Sequence, residues 1–251
     1  MRVALLLMLM CSLPPARGET IYAALVNGDI VAIDSGNLRS RPVTHTATAW
    51  FDIALGPDGT LYGTDSYQLF RIDPSTGQTN LVGTLGNFIN GLDFVGGTLY
   101  GSGGHGLYTI DLGNGKAQTV GSDLTYVSSG DLEWFRGALY MTGSGGTWGD
   151  KLLRWDLATG QPARVGDIGF PNVYALAATS SGMFGFTGQG EILRIDVSTG
   201  AGTRVGSVGR GVNGAASVLE AAPPEVPEPC AVVLLGSGLC GLALKFRRRG
   251  A

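Results

Sequence analysis

The chain has 251 residues, of which 44% are hydrophobic and 15% charged, with 42 glycines and three cysteines. Cys11 lies in the first apolar stretch, and Cys230 and Cys240 lie near the end, so the long region between them can hold neither a disulfide framework nor a thiolate metal site. All 20 acidic residues fall between Glu19 and Glu228, against 11 basic ones, and nine net negative charges on that stretch argue against nucleic acid as a partner.

Met1-Arg2 leads directly into an apolar run from Val3 to Cys11, followed by Pro14, Pro15, Ala16 and Gly18. One positive residue, a short apolar core and small residues at the expected cleavage positions have the layout of a secretory signal peptide, assigned to residues 1–18. Export would then pass through the Sec translocon. Met10 stands where a lipid-attachment site wants a small residue, which discounts a lipoprotein reading of Cys11.

Residues 19–220 carry an internal repeat. Leu69-Phe70-Arg71-Ile72-Asp73 with Thr76-Gly77 returns as Leu107-Tyr108-Thr109-Ile110-Asp111. It returns again as Leu153-Arg154-Trp155-Asp156 with Thr159-Gly160, and as Leu193-Arg194-Ile195-Asp196 with Thr199-Gly200. An earlier copy is Ile30 to Asp34 with Ser35-Gly36, and the aspartates stand 39, 38, 45 and 40 residues apart. A Leu-Tyr-Gly-like marker precedes most copies, and Val-Gly follows at 82–83, 120–121, 165–166 and 205–206. Glycine, Asp, Ser and Thr punctuate about four short strand-like runs per period, the spacing of a β-propeller blade.

Four full periods are expected near 50–86, 87–124, 125–169 and 170–210. The leading piece 19–49 supplies three strands and the trailing run Gly214 to Glu220 supplies one, together a fifth blade. The expected fold is all-β: a five-bladed propeller of four-stranded blades, closed by its N- and C-terminal strands, with a six-bladed or open ring as the alternative. Each repeated Asp is expected to cap the turn after the third strand, and the Gly of Thr-Gly to supply positive φ there. The Leu-Tyr-Gly and Ile-Asp-x-x-Thr-Gly motifs resemble those of the NHL-, YVTN- and quinoprotein-like propellers. That resemblance implies architecture and no chemistry.

Chemistry is sparse. His45 and His105 fall in different periods, too few for a histidine metal site. No nucleophile elbow, phosphate loop or zinc-spaced cluster appears, and no cofactor or metal is implied. Asp131, Glu133 and Trp134 break the repeat on an expected innermost strand, where Trp50, Asp52, Asn90 and Asp93 share their phase. Trp148 sits in the Gly-rich insertion of the third period. Trp50, Asp131, Glu133, Trp134 and Trp148 are therefore the candidate ligand contacts, for a sugar or Ca²⁺, although burial in a structural role accounts for the same residues. Trp155 occupies a repeat position of an aliphatic core residue.

A Pro/Glu-rich linker spans 221–229, and an uncharged apolar segment follows from Cys230 to Leu244, then Lys245, Arg247, Arg248 and Arg249. As a helix this segment covers about 22 Å, short of the ~30 Å hydrocarbon core, a mismatch that membrane thinning accommodates. The arginines would hold it with its basic end on the cytoplasmic side. The order Val226-Pro227-Glu228-Pro229, apolar segment, Arg247-Arg248-Arg249 resembles the PEP-CTERM sorting signal; an ordinary tail anchor is the alternative. The resemblance implies export in a Gram-negative bacterium, a membrane-anchored precursor over 230–251 and recognition by an exosortase. Pro227, Glu228 and Pro229 would be substrate residues, and the mature protein would be extracellular or at the cell surface. The resulting expectation is a non-enzymatic binding or matrix component linked to exopolysaccharide and biofilm. The alternatives are a lyase or hydrolase with a cation in the central channel, and a structural protein whose only specific partner is the sorting machinery.

Overall fold

The structure is a computed structural model that describes residues 18–146 and 148–217. The expected signal segment up to Arg17, the Pro/Glu linker and the apolar tail lie outside the described residues. Among the described residues, no helix is long and apolar enough to cross a membrane.

The described residues form twenty strands in five four-stranded antiparallel sheets. One blade joins β20 (Val212–Ser217) to β1 (Thr20–Leu25), β2 (Asp29–Asp34) and β3 (Ser40–His45). The second holds β4 (Asp52–Leu55), β5 (Leu61–Thr64), β6 (Gln68–Ile72) and β7 (Thr79–Thr84). The third holds β8 (Gly91–Val95), β9 (Thr98–Gly103), β10 (Gly106–Ile110) and β11 (Ala117–Ser122). The fourth holds β12 (Val127–Phe135), β13 (Ala138–Ser144), β14 (Lys151–Asp156) and β15 (Gln161–Asp167). The fifth holds β16 (Val173–Thr179), β17 (Gly182–Thr187), β18 (Glu191–Ile195) and β19 (Gly202–Ser207). Strands β4, β8, β12, β16 and β20 pack on one another in a closed cycle and are the innermost strands.

The ring is thus a five-bladed propeller, with β20 and β1 paired from Ile21↔Ser217 to Leu25↔Val212 across the closure. Closure removes the open end-blade edges that a linear array of sheets would expose. The trailing strand begins at Val212, two residues before the expected start, and residues 218–220 of the expected run lie outside the described residues. Apolar clusters fill the spaces between blades. Trp50, Ile53 and Leu61 pack with Ala24 and Ile30 at one such interface, and Leu107 packs with Leu132, Leu139 and Trp155 at another. Trp155 is buried, as its repeat position suggested.

The repeated aspartates are turn caps. Asp73 Oδ1 accepts from Ser75 N and Ser75 Oγ, and Asp196 Oδ1 does the same with Ser198. Asp34, Asp111 and Asp156 accept from backbone N–H groups of their own turns. Gly77, Gly160 and Gly200 have φ of 73°, 66° and 80°. The first copy departs from the expectation: there Leu38, not Gly36, takes the left-handed conformation, at φ 59°. Leu38 stands four residues after Asp34, the position that Gly77, Gly160 and Gly200 hold in their turns, and it packs against the apolar cluster between the closing and fifth blades, which offsets the strain of a β-carbon at positive φ.

The recurrent Val-Gly is a β-bulge on each outermost strand. Leu69 pairs with Gly83 while Phe70 pairs with Leu81, leaving Val82 extra. Val120, Val165 and Val205 are extra in the same way, and Val43 is extra in the closing blade. A bulge kinks the exposed edge and spoils it as a template for another strand. The glycine after it touches the neighbouring blade: a Cβ on Gly166 would lie 1.8 Å from Thr199 O, and one on Gly83 would lie 1.8 Å from Asn114 O. Gly166→Ala is therefore expected to lower stability by about 1–3 kcal/mol, read as a lower thermal midpoint with no change in far-UV circular dichroism at low temperature. An unchanged midpoint would contradict this close blade contact.

Candidate functional site

The channel wall is set by strand register. Ala54, Asp93, Glu133, Ala177 and Ala216 pair with Tyr62, Tyr100, Tyr140, Phe184 and Tyr22, so they form one layer around the axis. Two residues earlier on each strand stand Asp52, Gly91, Asp131, Ala175 and Gly214, a second layer on the same strand faces. Each layer holds two carboxyl groups and three small residues. Asp52, Asp93, Asp131 and Glu133 are all fully buried.

Three of the four are spent on backbone. An innermost strand has a free edge facing the axis, and its unpaired N–H groups need acceptors. Asp52 Oδ2 accepts from Leu92 N of the next blade at 2.6 Å, and its Oδ1 accepts from Ala215 N of the closing blade at 3.2 Å. Asp93 Oδ2 accepts from Trp134 N. Asp131 Oδ2 accepts from Leu176 N at 2.7 Å. Each of the three also accepts from the N–H of the residue that follows it. Together they tie β20, β4, β8, β12 and β16 across the axis. Glu133 differs: the Ala178 N–H lies near enough to favour its charged form, yet neither carboxylate oxygen makes a hydrogen bond.

Burial holds the Asp93, Asp131 and Glu133 carboxyl groups well above the usual carboxylate range. For Asp131, the neighbouring Asp52 charge adds to this, as does a hydrogen bond to Asp52 that requires a protonated carboxyl. For Glu133, the charges of Asp93 and Asp131 add to it. Among the described residues, no group of three or more His, Cys, Asp or Glu side chains is placed to hold a metal ion.

The other sequence-predicted residues scatter. Trp50 is fully buried, its Nε1 donating to Thr46 Oγ1 at 3.0 Å, and presents no surface. Trp134 is half-buried against the Leu107–Leu132 cluster. Trp148 is 74% exposed, beside the carbonyl oxygens that receive Lys151 Nζ. His45 pairs with Asp29 of the adjacent strand at 2.8 Å, and His105 Nδ1 meets the carbonyls of Asp123 and Tyr126 in the connection between β11 and β12, so each is engaged locally. The sorting residues Val226, Pro227, Glu228, Pro229, Arg247, Arg248 and Arg249 lie outside the described residues.

Apart from Asn90, which the sequence placed at the phase of Asp52 and Asp93, residues not singled out from the sequence make the accessible site. Where the innermost strands begin, a vestibule of about 270 Å³ opens, lined by Phe51, Asn90, Ser129, Gly130, Tyr174 and Asn213. Phe51, Asn90, Gly130, Tyr174 and Asn213 each immediately precede a member of the Asp52–Asp131 layer, one from each of the five blades. Asn213 Nδ2 donates to Trp50 O at 3.1 Å, and Asn90 Nδ2 donates to Ser128 O at 3.3 Å. Asn90 Oδ1 has no hydrogen-bond partner among the described residues.

Chain direction places every inter-blade connection, and every turn between second and third strands, on this same face. Of nine exposed large hydrophobic side chains among the described residues, seven lie there: Val26, Phe51, Tyr67, Phe88, Leu124, Val127 and Trp148. Phe88 meets Phe51 edge-on at 6.2 Å and Tyr67 at 5.9 Å. The opposite face carries the aspartate-capped turns at Asp34, Asp73, Asp111, Asp156 and Asp196.

The fold defines a β-propeller protein. A chain in the crystal structure of a nidogen/laminin complex superposes with a TM-score of 0.55 at 12% identity, covering 79% of this chain and 85% of that one. Identity at that level shows the fold alone. No protein-family model matches the sequence, and no curated protein does.

The carboxyl groups predict a stability profile with two limbs. The turn caps Asp73, held down at about 2 by Ser75, and Asp156 and Asp196, also held low by their turns, favour the folded state above the usual carboxylate pKa and lose that contribution as pH falls. The channel groups, raised by folding, act oppositely: their contribution is complete below about pH 4 and declines as pH rises towards their folded values. Glu133→Gln removes one raised group without breaking a hydrogen bond. It is expected to raise the thermal midpoint at pH 8 and to leave it nearly unchanged at pH 4; a gain independent of pH would contradict this assignment.

Proposed function

We propose that this chain is an exported, non-enzymatic binding module that engages extracellular polysaccharide through the vestibule face. The observation that carries the reading is the gathering of Phe51, Tyr67, Phe88 and Trp148, exposed, on one face of the ring. Exposed aromatic rings offer flat apolar surfaces with polar edges, suited to the apolar faces of sugar rings. The channel carboxyl groups support a structural rather than a catalytic reading, because three of the four are hydrogen-bonded to backbone and none is exposed. A glycan-array screen of the full-length chain, with and without Ca²⁺, is expected to show binding that Phe88→Ala with Trp148→Ala weakens at least about tenfold. Absence of binding to every glycan would overturn the reading, and so would a purely protein-directed partner.

Sorting belongs to the same proposal. Val226-Pro227-Glu228-Pro229, the apolar stretch and Arg247-Arg248-Arg249 support export and exosortase recognition, with a membrane-held precursor and a surface-exposed or released product. Replacing the three arginines with neutral residues, or altering Pro227-Glu228-Pro229, is expected to leave an unprocessed, membrane-associated precursor in a host that has an exosortase. Unchanged size and location of the product would remove this part of the proposal.

A further inference from the structure

We propose that the vestibule is a subsite for one neutral pyranose ring, the terminal or side-branch sugar of the bound glycan. This deepens the binding-module reading and depends on it. Size is the first argument. A cavity of about 270 Å³ lies just under the range of about 300–1,000 Å³ usual for drug-sized ligands, so it suits a single ring rather than a run of polymer.

The lining is the second argument. Phe51 and Tyr174 supply aromatic surface, while Asn90, Ser129 and Asn213 supply amide and hydroxyl groups, the mixture that a ring with one apolar face and several hydroxyls requires. Asn90 is more than nine-tenths buried, and its Oδ1 lacks a donor. A buried acceptor without a partner is costly, and a small rotation of the amide would let a ligand hydroxyl satisfy it. Asn90 Nδ2 already donates to Ser128 O, so the oxygen is the atom left to meet a ligand.

Charge is the third argument and excludes an anionic ring. Asp52 and Asp131 directly follow Phe51 and Gly130 on their strands, so a layer holding two carboxyl groups lies behind the lining residues. Any residual negative charge there repels a uronate, as does the net charge of the exported stretch. Tyr67, Phe88 and Trp148 outside the vestibule would then meet the following sugars.

The test is saturation-transfer NMR on the full-length chain with methyl β-D-glucopyranoside, methyl β-D-galactopyranoside, sodium glucuronate and choline as probes. A neutral glycoside is expected to bind in the millimolar range, and glucuronate and choline to bind at least about tenfold more weakly. Asn90→Ala and, separately, Phe51→Ala are expected to weaken the neutral glycoside about tenfold. Phe51 is 46% exposed, so its truncation leaves a folded control should Asn90→Ala lower the melting temperature. Retained glycoside binding in both variants would overturn the subsite, as would a preference for choline or glucuronate. Glycan binding that persists with the vestibule variants unaffected removes the subsite and leaves the binding-module reading standing. Absence of binding to any glycan removes both.

Discussion

The hydrogen bonds that run from channel carboxyl groups to backbone N–H groups of adjacent blades are what the ring depends on. Five sheets meeting at an axis leave five strand edges without ladder partners, and water has little access to them. Asp52, Asp93 and Asp131 each bridge two innermost strands, and Asp52 reaches back to the closing blade as well. Bringing four acidic side chains together out of water is unfavourable unless some hold protons. Burial pushes Asp93, Asp131 and Glu133 towards the protonated form, repulsion from neighbouring carboxylates adds to it for Asp131 and Glu133, and the Asp52–Asp131 contact makes use of one such proton. The same small radius requires Gly91 and Gly214 in the Asp52–Asp131 layer: a Cβ on Gly91 would lie 2.3 Å from Gly130 O, and one on Gly214 would lie 2.3 Å from Asp52 Oδ1.

The periphery solves a different problem with other residues. Each outermost strand would be an exposed edge, and each carries a bulge at the Val of Val-Gly, or at Val43 in the closing blade. In the four blades with Val-Gly, the glycine that follows stands close to the next blade. Blade geometry is thereby set at both ends, by carboxyl bridges at the axis and by glycine contacts at the rim. The two faces remain free to differ, one carrying the aspartate-capped turns, the other the exposed aromatic side chains.

Repetition made the fold legible. The Ile-Asp-x-x-Thr-Gly turn recurs because every blade needs the same cap, and the strand count of 19–49 with the trailing run anticipated the closing blade. The site was far less legible, because its residues do not repeat. Phe51, Asn90, Gly130, Tyr174 and Asn213 occupy one structural position with five blade-specific side chains, and no motif marks them. Only alignment of the innermost strands by register brings them together. Asp131 and Glu133 did stand out as departures from the repeat, but whether a carboxyl faces solvent or a backbone N–H depends on the neighbouring blade. Trp50 drew notice for its residue type, whereas the packing of its ring against Phe70, with centroids 5.3 Å apart, is a tertiary fact.

The carboxyl bridges lend themselves to direct observation. Carbon-detected NMR titration of the side-chain carboxyl carbons would follow each aspartate and glutamate separately. The account expects Asp93, Asp131 and Glu133 to take up protons well above the usual carboxylate range, while Asp73 titrates near 2. Ordinary titration of all three channel groups, together with solvent-exposed exchange of the Leu92, Trp134 and Leu176 amides, would contradict it.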